Sequence, residues 1–190
     1  MSAIFKNEHG KGMHMAISAK VEAAINAQIV LEHYSSYLYL AMSAWTDSQG
    51  LKGFANWYRV QSREELNHAW ILYQYVLERR GTVRLGTVPA PEVTWKTVED
   101  VALGTIAAEE EVTSKINALA GLAMQENDYA TYQMLQWFIA EQVEEENNAH
   151  DLLDRIRLSQ NAPAGLLFLD KELVTRTYVA PTGTPVTLPF

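Results

Sequence analysis

Four stretches of this chain, near 18–45, 51–79, 98–125 and 128–159, run for roughly 30 residues each without a proline, and each carries a helical apolar stripe. At about 1.5 Å per residue such helices are roughly 40 Å long or more, too long for any small fold but an extended bundle. The connections set the topology. TDSQG joins the first stretch to the second, and Glu126-Asn127-Asp128 joins the third to the fourth, so each pair is a tight antiparallel hairpin. Between the pairs lies GTVRLGTVPAPEVTWK, long enough to run from one end of a bundle to the other. Two hairpins joined by one long crossover predict an all-α four-helix bundle. Thr97, with Asp100 three residues on, marks the start of the third helix. A short fifth helix is expected over about 165–175, after Asn161-Ala162-Pro163.

The stripes contain a conflict. The first reads Ile25, Ile29, Glu32, Ser36, Tyr39, and the second Phe54, Tyr58, Gln61, Glu65, His68, Leu72. The third reads Glu109, Val112, Ile116, Leu119, and the fourth Leu135, Phe138, Gln142, Glu145, Ala149, Leu152, Ile156. Each apolar face therefore carries a glutamate. A carboxylate buried alone costs several kcal/mol, or takes up a proton, so four of them, one per helix, imply a shared partner. Their spacing repeats: Glu32 to Glu65 is 33 residues, as is Glu109 to Gln142, and the two hairpins are offset by 77. A pseudo-twofold bundle brings these residues to one level. Glu65 with His68, and Gln142 with Glu145, are three apart, so each pair points from one helix face toward one centre.

One Glu from each of two helices plus Glu-x-x-His from the others is the ligand pattern of di-iron carboxylate bundles. This chain has Glu32, Glu109 and Glu65-x-x-His68, but its fourth element is Gln142-x-x-Glu145. Oxygen ligands with a single imidazole suit iron, whereas structural zinc sites use more His or Cys. A second acidic set, Glu64, Glu141 and Glu144, lies one position away and fits either an adjacent cation path or a solvated acidic face. Glu110, Glu111 and Glu146 read as plain surface. Tyr39, seven residues after Glu32, fits a phenol serving the metals or a core tyrosine; Trp137 fits a redox partner or packing. His33 and His150 point away from the stripe.

Composition narrows the classes. Of 190 residues, 48% are hydrophobic, enough for a sizeable core. The formal charge of −8 argues against nucleic acid and for attraction of cations. There is no cysteine, which excludes disulfides, thiolate metal sites and a rubredoxin-type module. The start of the chain has no signal-peptide pattern and no apolar run is long enough for a membrane span, so a soluble cytoplasmic protein is expected. Residues 1–16, with His9 and His14, are expected to form a mobile arm, 17–176 the bundle domain, and 177–190 an extended tail.

Several segments resemble bacterial non-haem ferritins: LEHYSSYLYLAMSAW, SREELNHAW, EEEVTSKIN and DYATYQMLQWFIAEQVEEE in the four helices, and GLLFLDKEL in the fifth. The resemblance covers about 18–176. It implies a ferroxidase that oxidises Fe(II) to Fe(III) with dioxygen or peroxide and stores a ferric oxyhydroxide mineral in a 24-subunit cage. By position it places Glu32, Glu65, His68 and Glu109 at a first iron site, with Glu109 bridging or reaching the second. Glu145 falls at that second site with Gln142 beside it, so the Gln-x-x-Glu element is what this family shows. The resemblance also puts Glu64, Glu141 and Glu144 at a third iron site and makes Tyr39 the redox tyrosine. The haem-binding branch carries a methionine where this chain has Leu66, so no haem is expected. A DNA-protecting mini-ferritin would draw its ligands from the first two helices only, which the ligands on helices three and four argue against.

Overall fold

The computed structural model describes residues 17–160, 162, 164–180, 182 and 184. The expected arm at 1–16, with His9 and His14, lies outside them, as do 181, 183 and 185–190 of the expected tail. The described residues form five helices and no strand: α1 (Ala19–Ser48), α2 (Lys52–Glu78), α3 (Val98–Gln125), α4 (Tyr129–Ser159) and α5 (Gly165–Leu173). α1 packs on α2 and α3 on α4 as two hairpins, α1 also packs on α3, and α5 rests on α2 and α4. None of these helices is long and apolar enough to cross a membrane.

Local chemistry sets the ends. Ser18 caps α1 by accepting from Val21 N, and Asp128 caps α4 by accepting from Thr131 N. Thr97 and Asp100 form a reciprocal capping box at the start of α3. α1 runs three residues past the expected Trp45. Thr46 returns its hydroxyl to the Met42 and Ser43 carbonyls, and the chain turns only at Gly50, whose φ of +80° suits a residue without a Cβ. α5 stops at Leu173, two residues short of expectation. A Cβ at Gly53 would stand 1.7 Å from the Asp170 carbonyl oxygen, so this glycine is what lets α5 approach α2.

The crossover spans α1 from end to end. It is tied near the start of α1, where Thr82 N donates to Glu22, Arg84 N donates to Asn26 Oδ1 and Asn26 donates to the Thr82 carbonyl. It arrives at the other end with Trp95 edge-on to Trp45, ring centroids 5.9 Å apart.

Every stripe residue named above is buried. The apolar ones divide into two clusters. One gathers Ile25, Ile29, Leu72, Val112, Ile116, Leu135 and Phe138. The other gathers Tyr39, Met42, Phe54, Tyr58, Val101, Leu152 and Ile156 toward α5. The polar stripe residues fall between these clusters along the helices.

Candidate metal centre

Each helix delivers its polar residue into that gap. α1 supplies Glu32, whose Oε1 accepts from Gln28 Nε2 at 2.8 Å, one turn earlier. α2 supplies Glu65 and His68, with His68 Nδ1 3.3 Å from Glu65 Oε2. α3 supplies Glu109, whose Oε1 accepts from the Tyr39 hydroxyl. α4 supplies Gln142 and Glu145; Glu145 Oε2 accepts from Gln61 Nε2 at 2.8 Å. Glu32, Glu65, Glu109 and Glu145 are all at most 5% exposed.

The hydrogen bonds leave part of this set unmatched. Glu32 Oε2, Glu65 Oε1 and Glu109 Oε2 are buried without a partner among the described residues, as is Gln61 Oε1. A buried, unpaired carboxylate oxygen is costly, and mutual repulsion adds to the cost. Burial first, and the Glu65 charge second, push Glu32 up to about 8. Burial and then Glu145 push Glu109 up to about 8. Glu65 rises well above the carboxylate range for the same reasons, with Glu109 the strongest neighbour. Such a cluster takes up either protons or cations, and a cation would displace the protons.

Two ligand groups converge. Glu32, Glu65 and His68 offer atoms all within 4.8 Å of one another, and so do His68, Glu141 and Glu145. Glu109 joins neither triad but lies within electrostatic reach of both, since its charge bears on Glu65 and the charge of Glu145 bears on it. Gln142 lies at the same level but turns its Oε1 to Thr113 Oγ1, at 2.9 Å.

The adjacent acidic set is not a single cluster. Glu141 reaches toward His68 and Glu145, Glu144 is exposed, and Glu64 is paired with Arg176 at 2.7 Å. Glu64 is pushed up to about 7, chiefly by burial and against the pull of Arg176; Glu141 is raised by burial. Tyr39 is fully buried and stacks on Tyr58 at 6.2 Å, and burial together with Glu109 pushes its phenol far up. Trp137 packs edge-on to His68 at 5.7 Å, beside Phe138 at 5.9 Å. Glu110, Glu111 and His150 are exposed, Glu146 is half-buried, and His33 lines a groove with Val30, Tyr37 and Leu85, away from the centre.

Sequence reasoning assigned no role to Gln28, Gln61, Thr113 or Arg176. A signal existed for the first two: Gln28 and Gln61 stand four residues before Glu32 and Glu65, on the same helix faces. Thr113 and Arg176 carry no such mark.

Buried carboxylates on four helices, with unpartnered oxygens and one imidazole among them, define a metal-binding carboxylate bundle. The comparisons with known proteins narrow the class. The ferritin-like domain model matches residues 22–159, and the chain belongs to the ferritin family. It is 38% identical over 157 residues to a probable bacterial non-heme ferritin-like protein of Haemophilus influenzae, covering 83% of this chain and 95% of that one. It is 37% identical over 160 residues to a bacterial non-heme ferritin of Bacteroides fragilis, covering 84% of this chain and 99% of that one. Among solved structures it resembles an open-pore ferritin from the hyperthermophilic archaeon Archaeoglobus fulgidus (TM-score 0.84, 47% identity, 86% of this chain and 99% of that one). An engineered closed form of that ferritin matches with a TM-score of 0.85 and 48% identity, covering 86% of this chain and all of the other.

Proposed function

We propose that this ferritin is a ferroxidase whose centre is built from Glu32, Glu65, His68, Glu109, Gln142 and Glu145, with iron as its substrate and stored product. The observation that carries the proposal is the set of fully buried, unpartnered oxygens on Glu32, Glu65 and Glu109. On three helices one oxygen of the buried carboxylate meets no donor among the described residues, and divalent cations meet that need.

Glu32, Glu65 and His68 hold one Fe(II). Glu145, with His68 or Glu141 nearby, holds a second, and Glu109 lies between them. Each Fe(II) gives one electron; one dioxygen takes two electrons and two protons and leaves as hydrogen peroxide. With peroxide as oxidant, two electrons and two protons give two waters. The carboxylates hold both metals close enough to share one oxidant and favour the ferric state by charge. Protons bound to the carboxylates of the metal-free centre leave as iron enters. Tyr39, donating to Glu109, supplies a hydrogen bond and an oxidisable phenol beside the pair.

Glu64, Glu141 and Glu144 form the exit side, a third position through which ferric iron passes toward the store. The reading further implies a 24-subunit cage around a ferric oxyhydroxide mineral in the cytoplasm, supported by likeness to ferritins over 84% to 86% of this chain and 99% of theirs.

Stopped-flow absorbance on adding Fe(II) in air tests the centre. Wild type shows a fast phase, and Glu65→Ala loses it; equal fast oxidation in both removes the assignment. Size-exclusion chromatography tests the cage. Twenty-four chains of this length elute at roughly 500 kDa, and a monomer or dimer counts against storage.

A further inference from the structure

After α5 the chain folds back along α2. Asn56 Nδ2 donates to the carbonyls of Leu173 (3.2 Å), Val174 (3.3 Å) and Arg176 (2.8 Å). Three turns along α2, Asn67 donates to the Tyr178 hydroxyl, and Arg63 lies 4.1 Å over the Tyr178 ring. Between these two attachments the Arg176 guanidinium sits 4.7 Å over the Trp57 ring and donates Nη1 to the Trp57 carbonyl at 3.3 Å. Its Nη2 meets Glu64 Oε2 at 2.7 Å.

We propose that Arg176 is a tethered counter-cation at the exit side of the centre: its guanidinium holds Glu64 where a passing metal ion would bind, and the ion must displace it. The proposal rests on the reading of Glu64, Glu141 and Glu144 as a third metal position.

Four features support it. Glu64 directly precedes Glu65 on α2, so its ion pair with Arg176, at 2.7 Å, sits one residue from the centre. The pair is largely shielded, with side chains 20% and 24% accessible, where salt screens it less than on an open surface. A guanidinium keeps its charge at every working pH, so Glu64 is freed by a competing cation, by a proton on its own carboxyl or by movement of the strap. The strap also has no buried apolar side chain: Val174, Thr175 and Thr177 are exposed and Arg176 and Tyr178 half-buried, so 174–178 is held by hydrogen bonds, the ion pair and two cation–ring contacts. Such a device keeps the third position weak, which suits an ion in transit.

The test uses the assembled, iron-free cage and Zn²⁺ alone, a redox-inert probe, titrated by calorimetry without reference to turnover. Arg176→Met keeps a long side chain over Trp57 and removes the charge; Arg176→Lys keeps the charge. Arg176→Met should tighten the weakest class of Zn²⁺ sites about tenfold, Arg176→Lys should stay within about twofold of wild type, and adding Glu64→Gln to Arg176→Met should abolish the gain. If Glu64→Gln alone weakens that class while Arg176→Met leaves it unchanged or weaker, Glu64 is a ligand and the counter-cation proposal is overturned. If Glu64→Gln leaves every class as in wild type, the third-position reading falls and the proposal falls with it.

Discussion

The two hairpins hold equivalent places in the bundle and bring different chemistry to its centre. α1 and α2 supply Glu32, Glu65 and His68, which converge within 4.8 Å without help from the other half. α3 and α4 supply Glu109, Gln142 and Glu145 at the matching offset of 77. There an amide replaces the Glu65 carboxylate, and a carboxylate replaces the His68 imidazole. Gln142 turns its carbonyl to Thr113, and Glu145 reaches a ligand triad only through His68 of the first hairpin. The near-symmetry places two ligand sets at one level, and the departures from it make them unequal. One half offers a ligand triad on its own, and the other completes one only with His68 of the first.

Removing a ligand from each half is the sharpest way to break this comparison. Glu65 serves the self-sufficient triad and carries an unpartnered oxygen, so Glu65→Ala should slow fast Fe(II) oxidation by about a hundredfold or more. Gln142 is already committed to Thr113, so Gln142→Ala should cost only about three- to tenfold. Stopped-flow rates at saturating Fe(II) decide. Equal losses mean the halves contribute equally and the asymmetry is one of sequence alone.

The metal-free protein offers a second contrast, because each hairpin carries one carboxylate pushed up to about 8, Glu32 and Glu109. In the unfolded chain these groups titrate near 4.5. Between about 4.5 and 8 the native state therefore binds more protons than the unfolded one, and stability falls as pH rises through that window. The favourable contribution is complete below 4.5 and gone above about 8. Thermal melts of chelator-treated protein should show Tm dropping by several degrees between pH 5 and 8. Glu32→Gln and Glu109→Gln should each flatten that slope to a similar degree. A slope flattened by only one of them would show that the halves differ in electrostatics as well as in ligands. Zn²⁺ should bind more tightly as pH rises over the same window, since it displaces those protons.

The bundle and its centre were legible because burial follows helical period. Each stripe named from the sequence, glutamates included, lies in the interior, and Thr97 with Asp100 marked the start of α3. What stayed hidden depends on contacts between distant elements. No spacing rule shows that Thr113 takes the Gln142 carbonyl, or that Arg176, 112 residues from Glu64, folds back onto it. Glu64, Glu141 and Glu144 share a helical offset, yet the structure turns them to three surroundings, because each meets a different neighbour. The ends of α1 and α5 moved for a local reason, since a helix runs until a residue can take the next turn.

The smallest expected effect separates the hairpins by how their second strokes begin. α4 opens on its own cap, Asp128. α2 opens on Leu51, which makes no side-chain cap bond, and its first amides turn instead to α5: Asp170 Oδ1 accepts from Gly53 N at 2.7 Å and Phe54 N at 3.0 Å. The first hairpin therefore borrows its cap from a separate element, and the close approach at Gly53 is what allows it. Asp170→Ala leaves two amino-terminal amides without an acceptor and should cost about 1 kcal/mol. Because α5 also packs Leu169 and Leu173 into the core beside Phe54 and Trp57, the loss should stay local. Hydrogen exchange should quicken at the amides of Gly53 and Phe54 while the Thr131 amide, capped from within its own hairpin, keeps its wild-type rate. Equal quickening at both ends would mean that α5 steadies the whole bundle rather than the start of α2.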